Sequence, residues 1–200
     1  MTAKKKEDRR VRRTRKLLQS ALIQLLRKKP LSKIHIKEIV EVADVSRPTF
    51  YQHFDTKEKL LFSHFDDLIE TIHEVVFTQA REGETVDMLR LLTVSYGQWQ
   101  LHNEELQWVL QVENKDLLIS SLYTHFATLK REIDKHEPLD ESSVAYEDYI
   151  LGFVSGGAYM LLKMWLDNGM RESAEEMAHL TSRLLHNGFS PSQSEHSKNN

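Results

Sequence analysis

The sequence contains no cysteine, so neither a disulfide framework nor a thiolate metal site can form, and a reducing cytoplasm suits it. Glycine and proline are scarce, seven and four in 200 residues, which leaves few points where a helix must break. No apolar run approaches the roughly 20 residues that cross a bilayer, and the N-terminus lacks the apolar segment of a secretory signal. A cytoplasmic protein without a membrane partner is the expectation. Gly-rich phosphate loops, a Gly-x-Ser-x-Gly elbow and an evident pair of catalytic carboxylates are also missing. Enzyme chemistry is therefore not expected, and no cofactor is.

Enough apolar side chain is present for a core, since 40% of residues are hydrophobic against 28% charged. The net charge of −3 conceals a reversal along the chain. Residues 1–60 hold 17 Lys and Arg against 7 Asp and Glu, or +10, which leaves 10 against 23, or −13, for the rest. A lone basic run reads equally well as solvated surface. A basic head joined to an acidic body points instead to a polyanion held by the head, because clustered cations release counterions from nucleic acid.

Apolar residues recur at i, i+3, i+4 and i+7 over long stretches, so the fold class is all-α, with about nine helices. The spacing predicts helices over about 8–28, 36–43, 47–54, 56–81, 85–101, 104–112, 115–135, 143–167 and 173–187. Leu17, Leu18, Ala21, Leu22, Leu25 and Leu26 would be the buried side of the first, which ends before Pro30. The breaks further on fall at Gly83, His102-Asn103, Asn114, Pro138-Leu139-Asp140 and Asn168-Gly169. Ser46 can cap the third helix with Pro48 in its first turn. Asp55 or Thr56 can cap the fourth, and Ser173 with Glu176 makes a capping box for the last. Three helices in residues 1–55 form a head, residues 56–189 a larger helical body, and the polar segment 190–200 a disordered tail.

The second and third helices, joined by a short turn, have the form of a helix-turn-helix, whose second helix enters the major groove. On the wheel of Arg47 to Phe54, Phe50 and Phe54 point inward, Pro48, Thr49 and Gln52 point away, and Tyr51 and His53 lie on the flanks. Gln52 suits an adenine edge; Thr49 suits a phosphate or a thymine methyl. Arg47 reaches guanine or backbone, while Tyr51, His53, Lys57 and Lys59 suit phosphate. The basic runs Lys4–Lys6 and Arg9–Lys16 would follow the neighbouring backbone or enter the minor groove.

Val42-Ala43-Asp44-Val45-Ser46-Arg47-Pro48-Thr49-Phe50-Tyr51-Gln52-His53-Phe54, followed by Thr56-Lys57-Glu58-Lys59-Leu60-Leu61, resembles the helix-turn-helix signature of the TetR (tetracycline-repressor) family. The likeness covers residues 9 to about 62 and implies DNA contacts from Arg47, Thr49, Tyr51, His53 and Lys57. It departs from the family pattern at His35, where Ser or Thr often caps the second helix and touches a phosphate, and at Asp44, where Gly is usual. Asp tolerates a left-handed turn better than most residues. The segment Gly156 to Glu176 is similar to TetR-like regulators of low-GC Gram-positive bacteria.

The resemblance further implies a homodimer paired through the last two helices. Gly152, Gly156, Tyr159 and Met160 are the candidates, on a helix whose small residues four apart permit close approach; packing within one subunit is the other reading. It also implies an effector pocket among the middle helices, with Phe65, Ile69, Phe77, Tyr96, Trp99, Trp108, Leu122, Tyr123 and Phe126 as candidate lining, though each serves as readily as plain core. The ten histidines show no metal-ligand spacing, and no metal is expected. The function so implied is a repressor released from a palindromic double-stranded operator by a small-molecule effector. The alternative is a DNA-binding regulator controlled by a protein partner.

Overall fold

The computed structural model describes residues 9–82, 85–112, 115–134 and 146–187. Lys4–Lys6, the breaks at Gly83, Asn114 and Pro138-Leu139-Asp140, and the tail 190–200 lie outside them. Nine α-helices occur among the described residues: α1 Arg9–Leu26, α2 Ile36–Ala43, α3 Arg47–His53, α4 Lys57–Ala80, α5 Met88–Leu101, α6 Asn103–Leu110, α7 Lys115–Asp134, α8 Glu147–Asp167 and α9 Ala174–Asn187. A single 3₁₀ turn, Leu31–Lys33, joins α1 to α2. One departure from helix is a short antiparallel ladder, with Arg81 paired to Val86 and Glu82 to Thr85. The sequence carries no alternating run there, because a two-residue strand is too short to show a period.

The chain punctuates itself much as its polar residues dictate. Asp44 sits in the left-handed region at φ 52°, ψ 49°, and Val45 N–H returns to the Val40 carbonyl at 3.0 Å, closing α2. Ser46 Oγ then accepts the Thr49 N–H at 3.2 Å to start α3, with Pro48 in the first turn. Thr56, rather than Asp55, caps α4, its hydroxyl accepting the Lys59 N–H at 3.1 Å. Between α8 and α9, Gly169 (φ 75°) and Met170 (φ 51°) both take positive φ. The reciprocal Ser173 and Glu176 bonds, 2.7 and 3.2 Å, open α9.

Burial follows the periodicity with one correction in α1. Leu18, Ala21, Leu22, Leu25 and Leu26 are buried, but Leu17 is 43% exposed and Gln19 takes the inward place beside Leu18. The reason is polar: Gln19 Nε2 donates to Ser63 Oγ (3.0 Å) and to Asp67 Oδ2 (2.9 Å), both on α4. Leu60 and Leu61 at the start of α4 share one core cluster with Leu18, Leu22, Ile39 and Phe50 of the head. Each such fully buried side chain stabilises by roughly 1.5–3 kcal/mol. The same cluster runs on through Phe65, Ile69, Ile72 and Val76 into the body, where α5, α6, α7, α8 and α9 contribute.

Helix α8 corrects the statement about apolar runs. Its 21 residues reach a mean hydropathy of 1.3 over a window, long and apolar enough by composition to cross a membrane. Its inner side, Leu151, Ser155, Leu162 and Trp165, is buried in the helical body, and Trp165 Nε1 donates to the Glu172 carbonyl at 3.0 Å. Its other side carries Tyr149, Phe153, Met160 and Met164, between 49% and 79% exposed.

Candidate nucleic-acid interface and internal cavity

Helix α3 is fixed from beneath. Phe50 is fully buried and Phe54 nearly so, with their rings 6.2 Å apart, and the Arg15 guanidinium lies over the Phe54 ring at 5.7 Å. With that side held, Arg47, Pro48, Tyr51 and Gln52 are exposed and Thr49 and His53 half-buried, a polar outer surface on a short rigid rod. Tyr51 packs edge-on to Phe50 at 5.5 Å, which steadies its exposed phenol. Thr49 Oγ1 lies 2.7 Å from Ser46 Oγ.

His35 is exposed at the N-cap position of α2, and its backbone N–H is accepted by Glu38 Oε2 at 3.0 Å. Bonds from Lys29 and from that N–H hold the Glu38 carboxyl below its ordinary range. Lys57 does work that its position in the sequence did not announce. Its Nζ donates to the carbonyls of Leu31 (2.7 Å) and Ile34 (2.8 Å), so the ammonium ties the α1–α2 connection to the start of α4. Two of the three ammonium donors are used in this way. His35, Arg47 and Lys57 together line a cleft at this end of the head.

The basic run of α1 divides. Arg9, Arg12 and Arg13 are exposed, whereas Arg15 donates to Ser63 Oγ at 2.8 Å and Lys16 pairs with Asp67 at 2.9 Å. Arg15 and Lys16 are thus turned towards α4 rather than outward. Burial opposes ionisation of Asp67, but the bonds from Lys16 and Gln19 outweigh it and hold the carboxyl below its ordinary range. Sequence periodicity missed this cluster because its members are polar and 44 to 51 residues apart.

In the body, α5, α7, α8 and α9 surround a cavity of about 340 Å³. Tyr96, Trp99, Leu122 and Phe126 line it, as do His125, Leu161 and Leu184. Phe65 is fully buried and stacks on Trp99 at 5.7 Å from the α4 side, outside the lining. Ile69 faces a separate groove between α4 and α7. Trp108 lines another groove, against Pro30, Leu31 and Thr56 at the junction with the head. Half-buried Phe77 lies near His73, ring centroids 6.1 Å apart. Tyr123 donates to Asp148 Oδ1 at 2.6 Å, and that carboxylate holds the phenol above its ordinary pKa. Periodicity alone cannot separate these positions, since each is an aromatic or aliphatic residue that is buried or half-buried on its own helix.

Gly152 and Gly156 lie on the outward side of α8, and a Cβ built on either, or on Gly157, would meet no atom of the described residues within 4 Å. Packing among the described residues therefore does not explain their smallness. Tyr159 is half-buried against the core, while Met160 is 49% exposed and also reaches the cavity rim, as does Phe153.

A helix-turn-helix head carried on a larger helical body is the architecture of a DNA-binding regulator. A family model described as "Bacterial regulatory proteins, tetR family" matches residues 18–63, and one described as "Transcriptional regulator C-terminal region" matches residues 101–187. The chain belongs to the TetR family of transcriptional regulators. Its fold is similar to a TetR transcriptional regulator from Streptococcus agalactiae, at 22% identity and a TM-score of 0.51, covering 89% of this chain and 95% of that one. It is also similar to the fatty acid degradation regulator FadR from Bacillus halodurans, at 16% identity and a TM-score of 0.51, covering 88% and 96%. No curated protein matches the chain.

Proposed function

We propose that the chain is a cytoplasmic homodimeric repressor that holds a palindromic double-stranded operator through two α3 helices and is released by a small molecule bound in the body. The observation that carries this reading is the outer surface of α3, whose polar groups stand clear on a rod anchored by Phe50 and Phe54. Gln52 reads a base edge, and Arg47 reaches guanine or backbone. Thr49, Tyr51, His53 and the third donor of Lys57 hold phosphates, with Pro48 against the sugar-phosphate edge and His35 at the flank. Residues 1–55 supply the reading head and residues 56–189 the effector and dimer functions, α4 belonging mechanically to both.

Dimerisation is supported by the stripe Tyr149, Phe153, Met160 and Met164 on α8, exposed in one chain, with half-buried Gly156 in its middle. An apolar strip of this extent is what a partner helix covers. A small molecule is favoured over a protein partner because the body holds a cavity between α5, α7, α8 and α9 rather than a filled core. That cavity is lined mainly by apolar side chains and meets the surface beside α8, in place of the closed, polar chamber that would be the plainest sign of an effector.

The test is selection of bound duplexes from random DNA at several salt concentrations. An inverted repeat should emerge, with affinity falling steeply as salt rises. Gln52→Ala should lose about 1–3 kcal/mol at one base position in each half-site and relax the choice there. Binding without sequence preference at any salt would overturn the regulator reading.

A further inference from the structure

The cavity lining has a chemical bias that goes further than the existence of a pocket. Among the described residues, no Asp, Glu, Lys or Arg lines it. An ionised group carried into its interior, rather than left at the mouth beside α8, would therefore be stripped of water with no opposite charge to meet it, which costs several kcal/mol per ion. The polar groups in the described lining are the side chains of Ser95, Tyr96, His125 and Thr181 and the indole N–H of Trp99. Ser95 donates to the Leu91 carbonyl at 2.8 Å, and the Tyr96 and Thr181 hydroxyls bond each other at 2.6 Å. His125 differs. Its Nδ1 has no hydrogen-bond partner among the described residues and almost no accessible surface, so a ligand meets that nitrogen only after a small turn of the ring. The ring also borders the groove between α4 and α7 and is stacked on His73 at 3.9 Å with only 10° between the planes.

We propose that the cavity takes a neutral, mostly apolar molecule with one hydroxyl or carbonyl group, recognised by a hydrogen bond to the His125 imidazole. This deepens, and rests on, the reading of the cavity as an effector site. Burial, with His73 adding to it, depresses the His125 pKa to about 3, so the ring is uncharged at neutral pH. A neutral imidazole offers one donor and one acceptor, a match for a hydroxyl or carbonyl and no counter-ion for a carboxylate. A volume of about 340 Å³ lies at the small end of the roughly 300–1,000 Å³ usual for small-molecule sites. Trp99, Leu122, Phe126, Leu161 and Leu184 supply the apolar grip.

The experiment presents the full chain with three probes of one chain length, 1-octanol, octanoate and octylammonium, and follows binding by calorimetry and tryptophan emission. Octanol should bind most tightly. His125→Phe keeps the ring and its stacking on His73 but removes both nitrogens, and should weaken octanol by between about twofold and tenfold, the worth of one hydrogen bond. Ala158→Trp, checked for native helicity by circular dichroism, should fill the cavity and abolish octanol binding.

Octanoate or octylammonium binding more tightly than octanol, and losing it in Ala158→Trp, would overturn the neutral-ligand class while leaving the cavity as the effector site. An unchanged octanol affinity in His125→Phe would overturn the role of His125. Failure of all three probes to bind the folded, DNA-competent protein would overturn the proposal outright. Octanol bound as expected but without effect on operator affinity would uphold the cavity's chemistry and defeat its part in release.

Discussion

Acidification from pH 7 to pH 5 should cost the native state about 2 kcal/mol through His125 alone. Its imidazole is held at about 3 in the fold against an ordinary 6.5. Between those values the unfolded chain binds a proton that the native chain refuses, so stability falls as pH drops through that window. Each pH unit costs about 1.4 kcal/mol, and the 1.5 units from 6.5 to 5 give about 2 kcal/mol. His73 and His64 are also depressed by burial and add a loss of the same sign. The carboxylates act elsewhere: Asp67, Glu38 and Glu176 are depressed, and their contribution is lost only as pH falls through their lowered values. Asp66, raised by burial, works in the opposite direction. Urea unfolding at one fixed protein concentration, at pH 7, 6 and 5, measures the slope; the fixed concentration matters because dimerisation shifts stability by mass action. His125→Phe should flatten that slope by about 2 kcal/mol between pH 7 and 5, whatever it does to stability at pH 7. Equal slopes in the two proteins would refute the reasoning.

Three further outcomes follow from single residues. Lys57→Met should lower thermal stability by about 1–3 kcal/mol, since two carbonyls lose a charged donor, and should weaken operator binding in the same protein; unchanged melting would remove its anchoring role. Gly156→Leu should leave the subunit's circular dichroism intact yet yield monomers by sedimentation, because overpacking a dimer contact typically costs about 1–3 kcal/mol. Asp44→Val should cost about 1–2 kcal/mol in a thermal melt, from a left-handed backbone that a β-branched residue resists, while Asp44→Gly should be tolerated.

How much of this was legible beforehand depends on the kind of signal. Helix positions were, to within a few residues, because each amphipathic period and each break has a local chemical cause: Asp44 in the turn, Ser46 and Ser173 as caps, Gly169 at the end of α8. The inward turn of Phe50 and Phe54 was legible for the same reason. The fate of Arg15, Lys16 and Lys57 was not. Their partners are Ser63, Asp67 and the carbonyls of Leu31 and Ile34, and no local pattern records a pairing across 20 to 50 residues. Leu17 was misassigned because Gln19, an ordinary surface residue type, buys its burial through Ser63 and Asp67. The cavity lining was partly legible at best. Tyr96 and Trp108 look alike on paper, and tertiary packing alone separates one from the other.

Helix α4 is where the proposed switch must act. At its first turns Lys57 grips the α1–α2 connection, Leu60 and Leu61 sit in the head's core, and Ser63 and Asp67 hold α1. Between Ser63 and Asp67, Phe65 stacks on Trp99 of α5, and two turns beyond it His73 stacks on His125 of α7. Trp99 and His125 both line the cavity, so a molecule bound there would press on two rings that stack against α4 side chains. Because the partly buried polar cluster of Arg15, Lys16, Gln19, Ser63 and Asp67 ties α1 to α4, displacement of α4 would carry the head with it instead of being absorbed between them. A ligand achieves this only if it binds one body conformation better than the other; tight binding without that preference shifts nothing. By reciprocity, a ligand that weakens operator binding by some factor is itself bound more weakly, by the same factor, when the operator is present. Calorimetric titration of octanol into the free protein and into the protein–operator complex should therefore give a weaker affinity in the complex. Equal affinities would mean that the rings on α5 and α7 move without moving α4, and the head would then have to be released by some other route.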